Sequence, residues 1–309
     1  MFGRMVRGTL FRQWKKMIMI ALTIALGASL ATAMISVVLD VGDKVNQELK
    51  TYGANIKVMP KSASIVDNLY DVENGSAKSY LREEELPQIK NIFWAFNIVD
   101  FSPFLETEVD LGEDSKVKAV GTWFNHEVVS DSGGREKDGI QALRTWWSVK
   151  GRWIDEAKDG EARVAMVGKN LAAARGYQVG DKISLKGSKA QGDFQIVGIY
   201  EAGDEEDDQI YLDLEQVQAL AGLDGSVDSI EVSALTTPDN ELAIRAAKDP
   251  DSLTNAQREL WYCTAYVSTV CYQIQEVISD SVASAVRQVA DSEGAILDKT
   301  QLLMILIMI

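Results

Sequence analysis

The longest uninterrupted hydrophobic stretch covers residues 17–39, MIMIALTIALGASLATAMISVVL, 23 positions without a charge. As a helix it would extend about 35 Å at 1.5 Å per residue, enough to span a bilayer core of about 30 Å. Eight further apolar residues, 302–309, would cover only about 12 Å of helix. We read them as the start of a second, truncated membrane helix over 300–309, against the alternative of a tail packed into a core. Beyond the first apolar run, Val41, Val45 and Leu49 recur every four residues, which predicts an outward continuation of the helix over 40–52. At the other end Ile274, Val277, Ile278, Val282, Ala285, Val289 and Ile296 recur at helical spacing, which predicts an amphipathic second stalk helix over 272–297.

The region between them, 53–271, mixes short runs of both periodicities. Strands are expected over 55–60, 93–110, 116–123, 162–167, 182–186, 194–200, 209–212 and 229–234. Helices are expected over 82–90, 168–175 with Gly176 as stop, 213–221 with Asp213 as N-cap, and 239–248. Residues 62–79 and 125–137 read as loops. The change of character after the second loop places a subdomain boundary near 125–145, with an inserted subdomain to about 225. The expected class is an α+β extracytoplasmic domain of two subdomains on a stalk of membrane-spanning α-helices.

Charge orients this arrangement. Residues 1–16 carry five basic side chains and no acid, while Asp40 and Asp43 follow the apolar run. The positive-inside rule puts the N-terminus in the cytoplasm and the large domain outside the cytoplasmic (inner) membrane. The rival reading is a secretory signal cleaved at Ala31-Thr32-Ala33, although a signal's apolar region normally runs 7–15 residues. With the basic segment set aside, the remainder carries about −20. Nucleic acid is therefore no partner, because displacing counterions from phosphates needs a basic face. Two Cys and one His also exclude a zinc framework.

Candidate chemistry is sparse. No GxxxxGK[ST] loop is present in these residues, as expected if ATP hydrolysis belongs to a separate chain. His126 is the sole histidine, and no nucleophile stands in a recognisable setting beside it, so the protein reads as a non-enzyme without a cofactor. The acidic run 201–208 offers Asp204, Glu205, Glu206, Asp207 and Asp208 as weak candidates for a hard cation, but without the DxDxDG order of a calcium loop. A solvated loop is the plainer reading. Cys263 and Cys271 lie on the oxidising side, eight positions apart. That separation is about 26 Å on a strand and 12 Å on a helix, against the roughly 7 Å a disulfide tolerates. A turn between them would permit a bridge, and unpaired thiols or a thiol switch are the other two readings. Trp146, Trp147 and Trp153 are expected in the core or at a subdomain interface.

Four segments carry a resemblance: Val167-Gly168-Lys169-Asn170-Leu171-Ala172, Val179-Gly180-Asp181-Lys182-Ile183-Ser184-Leu185, Phe194-Gln195-Ile196-Val197-Gly198-Ile199-Tyr200, and Asp207-Asp208-Gln209-Ile210-Tyr211-Leu212-Asp213-Leu214. In this order they resemble the MacB-like periplasmic core domain of ABC transporter permeases, the group that includes FtsX- and LolC-type proteins. Residues 261–266 and 286–294 further resemble permeases encoded beside bacterial periplasmic iron-uptake components. The resemblance implies a four-helix permease, working as a homodimer or paired permease with a separate cytoplasmic ATPase subunit, in contact with membrane lipid and a periplasmic partner protein. The alternative is a single-pass anchored binding or sensor protein without an ATPase.

Overall fold

The computed structural model describes residues 53–62, 79–112, 116–131, 133–160, 162–237 and 239–286, with short stretches inside 14–29. The chain divides into two units, Met1–Leu49 and Lys50–Ile309. In the first unit residues 14–16, 18–19 and 21–25 are helical and exposed, and the Thr23 hydroxyl donates to the Met19 carbonyl at 2.8 Å. Among the described residues no helix is long and apolar enough to cross a membrane. Most of the expected span over 17–39, the stalk over 40–52 and the terminal run over 300–309 lie outside them.

The second unit is built on one mixed sheet. Its strands are β1 (Ile56–Pro60), β3 (Ile98–Asp110), β4 (Lys116–Thr122), β7 (Ser148–Gly151), β8 (Val164–Gly168), β9 (Lys182–Lys186), β10 (Gln191–Glu201), β11 (Ile210–Asp213), β13 (Ser229–Ala234) and β14 (Ser281–Ala285). They run in the order β14-β1-β13-β3-β4-β11-β8-β10-β7, and β9 pairs with both β10 and β3. That double pairing closes β3, β4, β11, β8, β10 and β9 into a ring of strands. Two short pairs stand apart, β2 (Leu81–Arg82) with β12 (Ser226–Val227), and β5 (His126–Val129) with β6 (Arg135–Asp138).

The central strands are covered on both faces, so their residues alternate between two cores. In β8, Ala165 and Val167 join one apolar cluster while Val164 and Met166 join the other. In β11, Ile210 and Leu212 face the first and Tyr211 the second. Strand β10 keeps this alternation through Ile196. The register with β8 then shifts between Ile196 and Gly198. One inserted residue reverses the facing of all that follow, so Ile199 packs on the first cluster and Tyr200 enters the second.

Helices α1 (Ile140–Leu143), α2 (Glu156–Asp159), α3 (Lys169–Arg175), α4 (Leu214–Ala221), α5 (Glu241–Lys248), α6 (Asn255–Tyr262) and α7 (Val267–Val277) complete the unit. The signals that end them are local. Gly176 closes α3 in the left-handed conformation at φ 71, and the Asp213 side chain caps α4 by accepting from the Glu215 N–H. Residues Glu83–Asn91 are a 3₁₀ rather than an α-helix, with Pro87 inside, a residue that lacks the N–H an α-helical ladder requires.

Three expectations are corrected here. The continuous stalk helix over 272–297 does not form: α7 stops at Val277, Asp280 takes a left-handed turn at φ 52, and β14 follows. Pairing decides this, because β14 fills the outer edge of β1 over five register positions from Ile56–Ala285 to Pro60–Ser281, satisfying backbone groups that an open edge would leave bare. Residues beyond Val286 lie outside the described part. The loop expected over 125–137 contains the β5–β6 hairpin, with His126 opposite Asp138. No separation into two subdomains falls near 125–145, since one sheet runs across that position and residues 50–309 form one compact unit.

Phe101, fully buried in β3, packs its ring against Trp123 with centroids 5.8 Å apart. Phe101→Ala is expected to destabilise the unit by about 3–5 kcal/mol, through lost burial and a residual cavity, read as the shift in its thermal unfolding.

Candidate functional site

The most densely connected polar group sits at Arg144, directly after α1. Its side chain is nearly buried, with Nη1 2.7 Å from Glu231 Oε2 on β13 and Nη2 3.3 Å from Glu206 Oε1. The guanidinium also lies over Phe104 at 5.7 Å and Trp146 at 5.5 Å. Burial opposes its charge, yet Glu231 and Glu206 outweigh that and hold its pKa above the ordinary value. Glu206 is pushed upward by its own burial, against the pull of Arg144. The Tyr211 hydroxyl donates to Glu206 Oε1 at 3.1 Å, and Tyr200 places its hydroxyl 2.6 Å from the Glu206 carbonyl. Trp147 stacks on Tyr200 with centroids 4.3 Å apart and on Trp153 at 5.6 Å.

These contacts fix the acidic loop, and they show what its carboxylates do. Residues Glu205–Asp208 form a 3₁₀ turn. Asp204 caps it by accepting from the Glu206 N–H at 2.9 Å, while Asp207 turns inward and accepts from the N–H groups of Ala202 at 2.7 Å and Gly203 at 3.1 Å. Asp208 lies 3.5 Å from the Asn170 amide nitrogen, and Glu205 is exposed. Gly168 passes so close beneath that a Cβ there would collide with the Asp207 carbonyl. Four of the five acidic candidates, Asp204, Glu206, Asp207 and Asp208, thus serve separate backbone and side-chain partners, and Glu205 faces solvent. Among the described residues no group of three or more His, Cys, Asp or Glu side chains is arranged to hold a metal ion.

The remaining candidates separate. His126 stacks on Trp123 at 4.2 Å, with Nδ1 2.7 Å from Glu156 Oε2. Cys263, at the end of α6, is exposed, and Cys271, within α7, is buried, both as free thiols. Burial raises the Cys271 pKa to about 12, which suppresses the thiolate that would be needed for exchange. Trp147 belongs to the second core, with Trp146 and Trp153 packed against it. Sequence reading missed Arg144 altogether. It stands 62 residues from Glu206 and 87 from Glu231, so no local spacing joins the three.

An open recess of about 370 Å³ lies at the opposite end of β3 and β4, lined by Thr107, Glu108, Asp110, Lys116, Lys186 and Ser188 among others. Its Lys116 already pairs with Glu108 at 3.1 Å. What the geometry offers, therefore, is a buried junction: Arg144 and its partners join α1, β11, β13 and the acidic turn.

This unit is a mixed α+β domain of the extracytoplasmic type. The chain belongs to the MacB-like periplasmic core domain family, which matches residues 17–260. Such domains are the generally non-catalytic outer parts of inner-membrane ABC transporter permeases, which work with cytoplasmic ABC ATPases. Among solved structures, the periplasmic region of MacB from Actinobacillus actinomycetemcomitans is 10% identical, with a TM-score of 0.46 over 78% of this chain and 94% of that one. The extracellular domain of the ABC-type transporter YknZ from Gram-positive bacteria is 13% identical, with a TM-score of 0.37 over 62% of this chain and 87% of that one. A permease-protein domain from Porphyromonas gingivalis is 10% identical, with a TM-score of 0.32 over 75% and 87%. No match is found among curated proteins.

Arg144→Met should cost about 3–5 kcal/mol by stranding Glu206 and Glu231 beside apolar surroundings, seen as an earlier thermal transition; adding Glu206→Gln and Glu231→Gln should recover part of the loss. Alkylation of the native protein at pH 8 should modify Cys263 alone, with Cys271 reacting only after denaturation, as counted by intact mass.

Proposed function

We propose that this chain forms part of an ABC transporter permease whose extracytoplasmic domain couples the ATP-driven motion of a separate ATPase to substrate or partner handling outside the membrane. The observation that carries the reading is the extent of the family match, which takes in the apolar segment 17–39 as well as most of the outer domain. In this reading 17–39 anchors the chain with its N-terminus in the cytoplasm, and two permease copies pair. The transmitted quantity is mechanical. A domain held by a buried ion network moves as a body, since bending it would expose unpaired charge. Handling of iron-related cargo is the finer part of the proposal, resting on the likeness of residues 261–266 and 286–294 to permeases encoded beside iron-uptake components.

The test is tagged co-purification from native membranes with mass spectrometry of the associated chains. Recovery of a cytoplasmic ATPase with a stoichiometric permease is expected. Recovery of the protein alone, or only with outer-envelope proteins, would replace this reading with that of a tethered receptor.

A further inference from the structure

The β5–β6 hairpin leaves the domain between Phe124 and Gly139, and titratable groups hold both strands at its root. There His126 stands opposite Asp138. On the β5 side, His126 Nδ1 lies 2.7 Å from Glu156 Oε2, while the Phe124 N–H donates to Glu156 Oε1 at 2.6 Å. On the β6 side, Asp138 is 1% exposed and makes an ion contact of 2.9 Å with Lys90, which also reaches Glu136 at 2.9 Å. Asp100, also buried, accepts from the Gly139 N–H at 2.8 Å. A Cβ at Gly139 would collide with the Phe124 carbonyl, so the neck is closed tightly.

Between the two roots, Val128 is the one buried side chain among the described residues of 127–137. Burying one valine contributes only about 1.5–3 kcal/mol, and beyond the root the Asp131 N–H donates to Asn91 Oδ1 at 3.0 Å, so the ionic contacts at the root weigh heavily in whether the hairpin stays seated. We propose that the β5–β6 hairpin is a proton-operated arm, clamped onto the domain while Asp100 and His126 are protonated and released when both lose their protons.

Asp100 faces Asp138 and Lys90, with Glu136 behind the lysine, and one ammonium cannot neutralise both buried carboxylates. Its burial, aided by Asp138 and opposed by the Gly139 N–H and Lys90, raises its pKa to about 7. His126 faces Glu156, Asp213 and Glu83. Burial works against its charge, but the Glu156 hydrogen bond and these carboxylates outweigh it and raise its pKa above the ordinary 6.5. The signs agree. Asp100 binds its proton more tightly in the clamped state than when freed, so clamping weakens as pH climbs from about 4 to 7. The His126 contribution is complete below its ordinary pKa and fades as pH rises through the raised one.

Amide hydrogen exchange on the full-length protein in detergent micelles, corrected for intrinsic rates at pH 6 and pH 8, tests this. Protection of peptides covering 127–137 is expected to fall about tenfold more than that of Ser229–Ala234, from Asp100 alone with its pKa of about 7 when clamped. Asp100→Asn keeps an acceptor for the Gly139 N–H and removes the proton, so with His126→Gln it should flatten the profile. Unchanged protection of the wild-type arm relative to Ser229–Ala234 between the two pH values overturns the proposal. So does a decline that persists undiminished in the double variant. Should that variant not fold, the wild-type profile still decides.

Discussion

The central strands of the sheet are buried on both faces by a single chain, and most of the remaining structure answers that constraint. A strand covered on both sides must be apolar at consecutive positions, as β8 is at each of Val164, Ala165, Met166 and Val167. It must also send alternate residues into different cores, so any change of register moves side chains between them. The bulge in β10 does this deliberately. It keeps Phe194 and Ile196 with the first cluster yet delivers Tyr200 to the second, where its ring packs against both Trp147 and Tyr211. Without that inserted residue, the hydroxyl that receives the acidic turn would point into the wrong core.

The second core is where the polar chemistry gathers. Arg144 enters it from α1 and meets carboxylates from β13 and from the turn before β11, while the aromatic rings of Phe104 and Trp146 cover its faces. Buried ion pairs add little net stability but strongly penalise partial separation. Elements tied in this way resist shear against one another, because separating them would strand buried charge. By contrast, the β5–β6 hairpin has one buried valine and is held mainly by titratable contacts at its root.

Charge clusters in an acidic protein take on different roles according to burial. The run 201–208 looks from composition like a cation trap, but Asp204 and Asp207 hold the backbone of their own turn while Glu206 turns to Arg144 and Tyr211. Asp100 and Asp138 are ordinary in sequence. They become unusual only because β3 and β6 bring both beneath Lys90, in a space too dry for two negative charges.

Much of the fold follows from short-range rules. The strand over 229–234 and the helix with its Asp213 cap are set by alternation and side-chain hydrogen bonding within a few residues, as is the Gly176 stop. The family likeness was legible for the same reason, since its motifs sit on those elements. What the sequence could not determine are features whose partners lie far along the chain. The apolar spacing of 274–289 fits a helix as well as a strand, and the vacant edge of β1, more than 200 residues earlier, draws 281–285 into β14. Arg144 acquires Glu206 and Glu231, and Asp100 acquires Asp138, by the same route. Local periodicity fixes which elements form, whereas burial and long-range pairing decide which carboxylates lose water and which edge is filled, and those energies exist only once the chain has closed on itself.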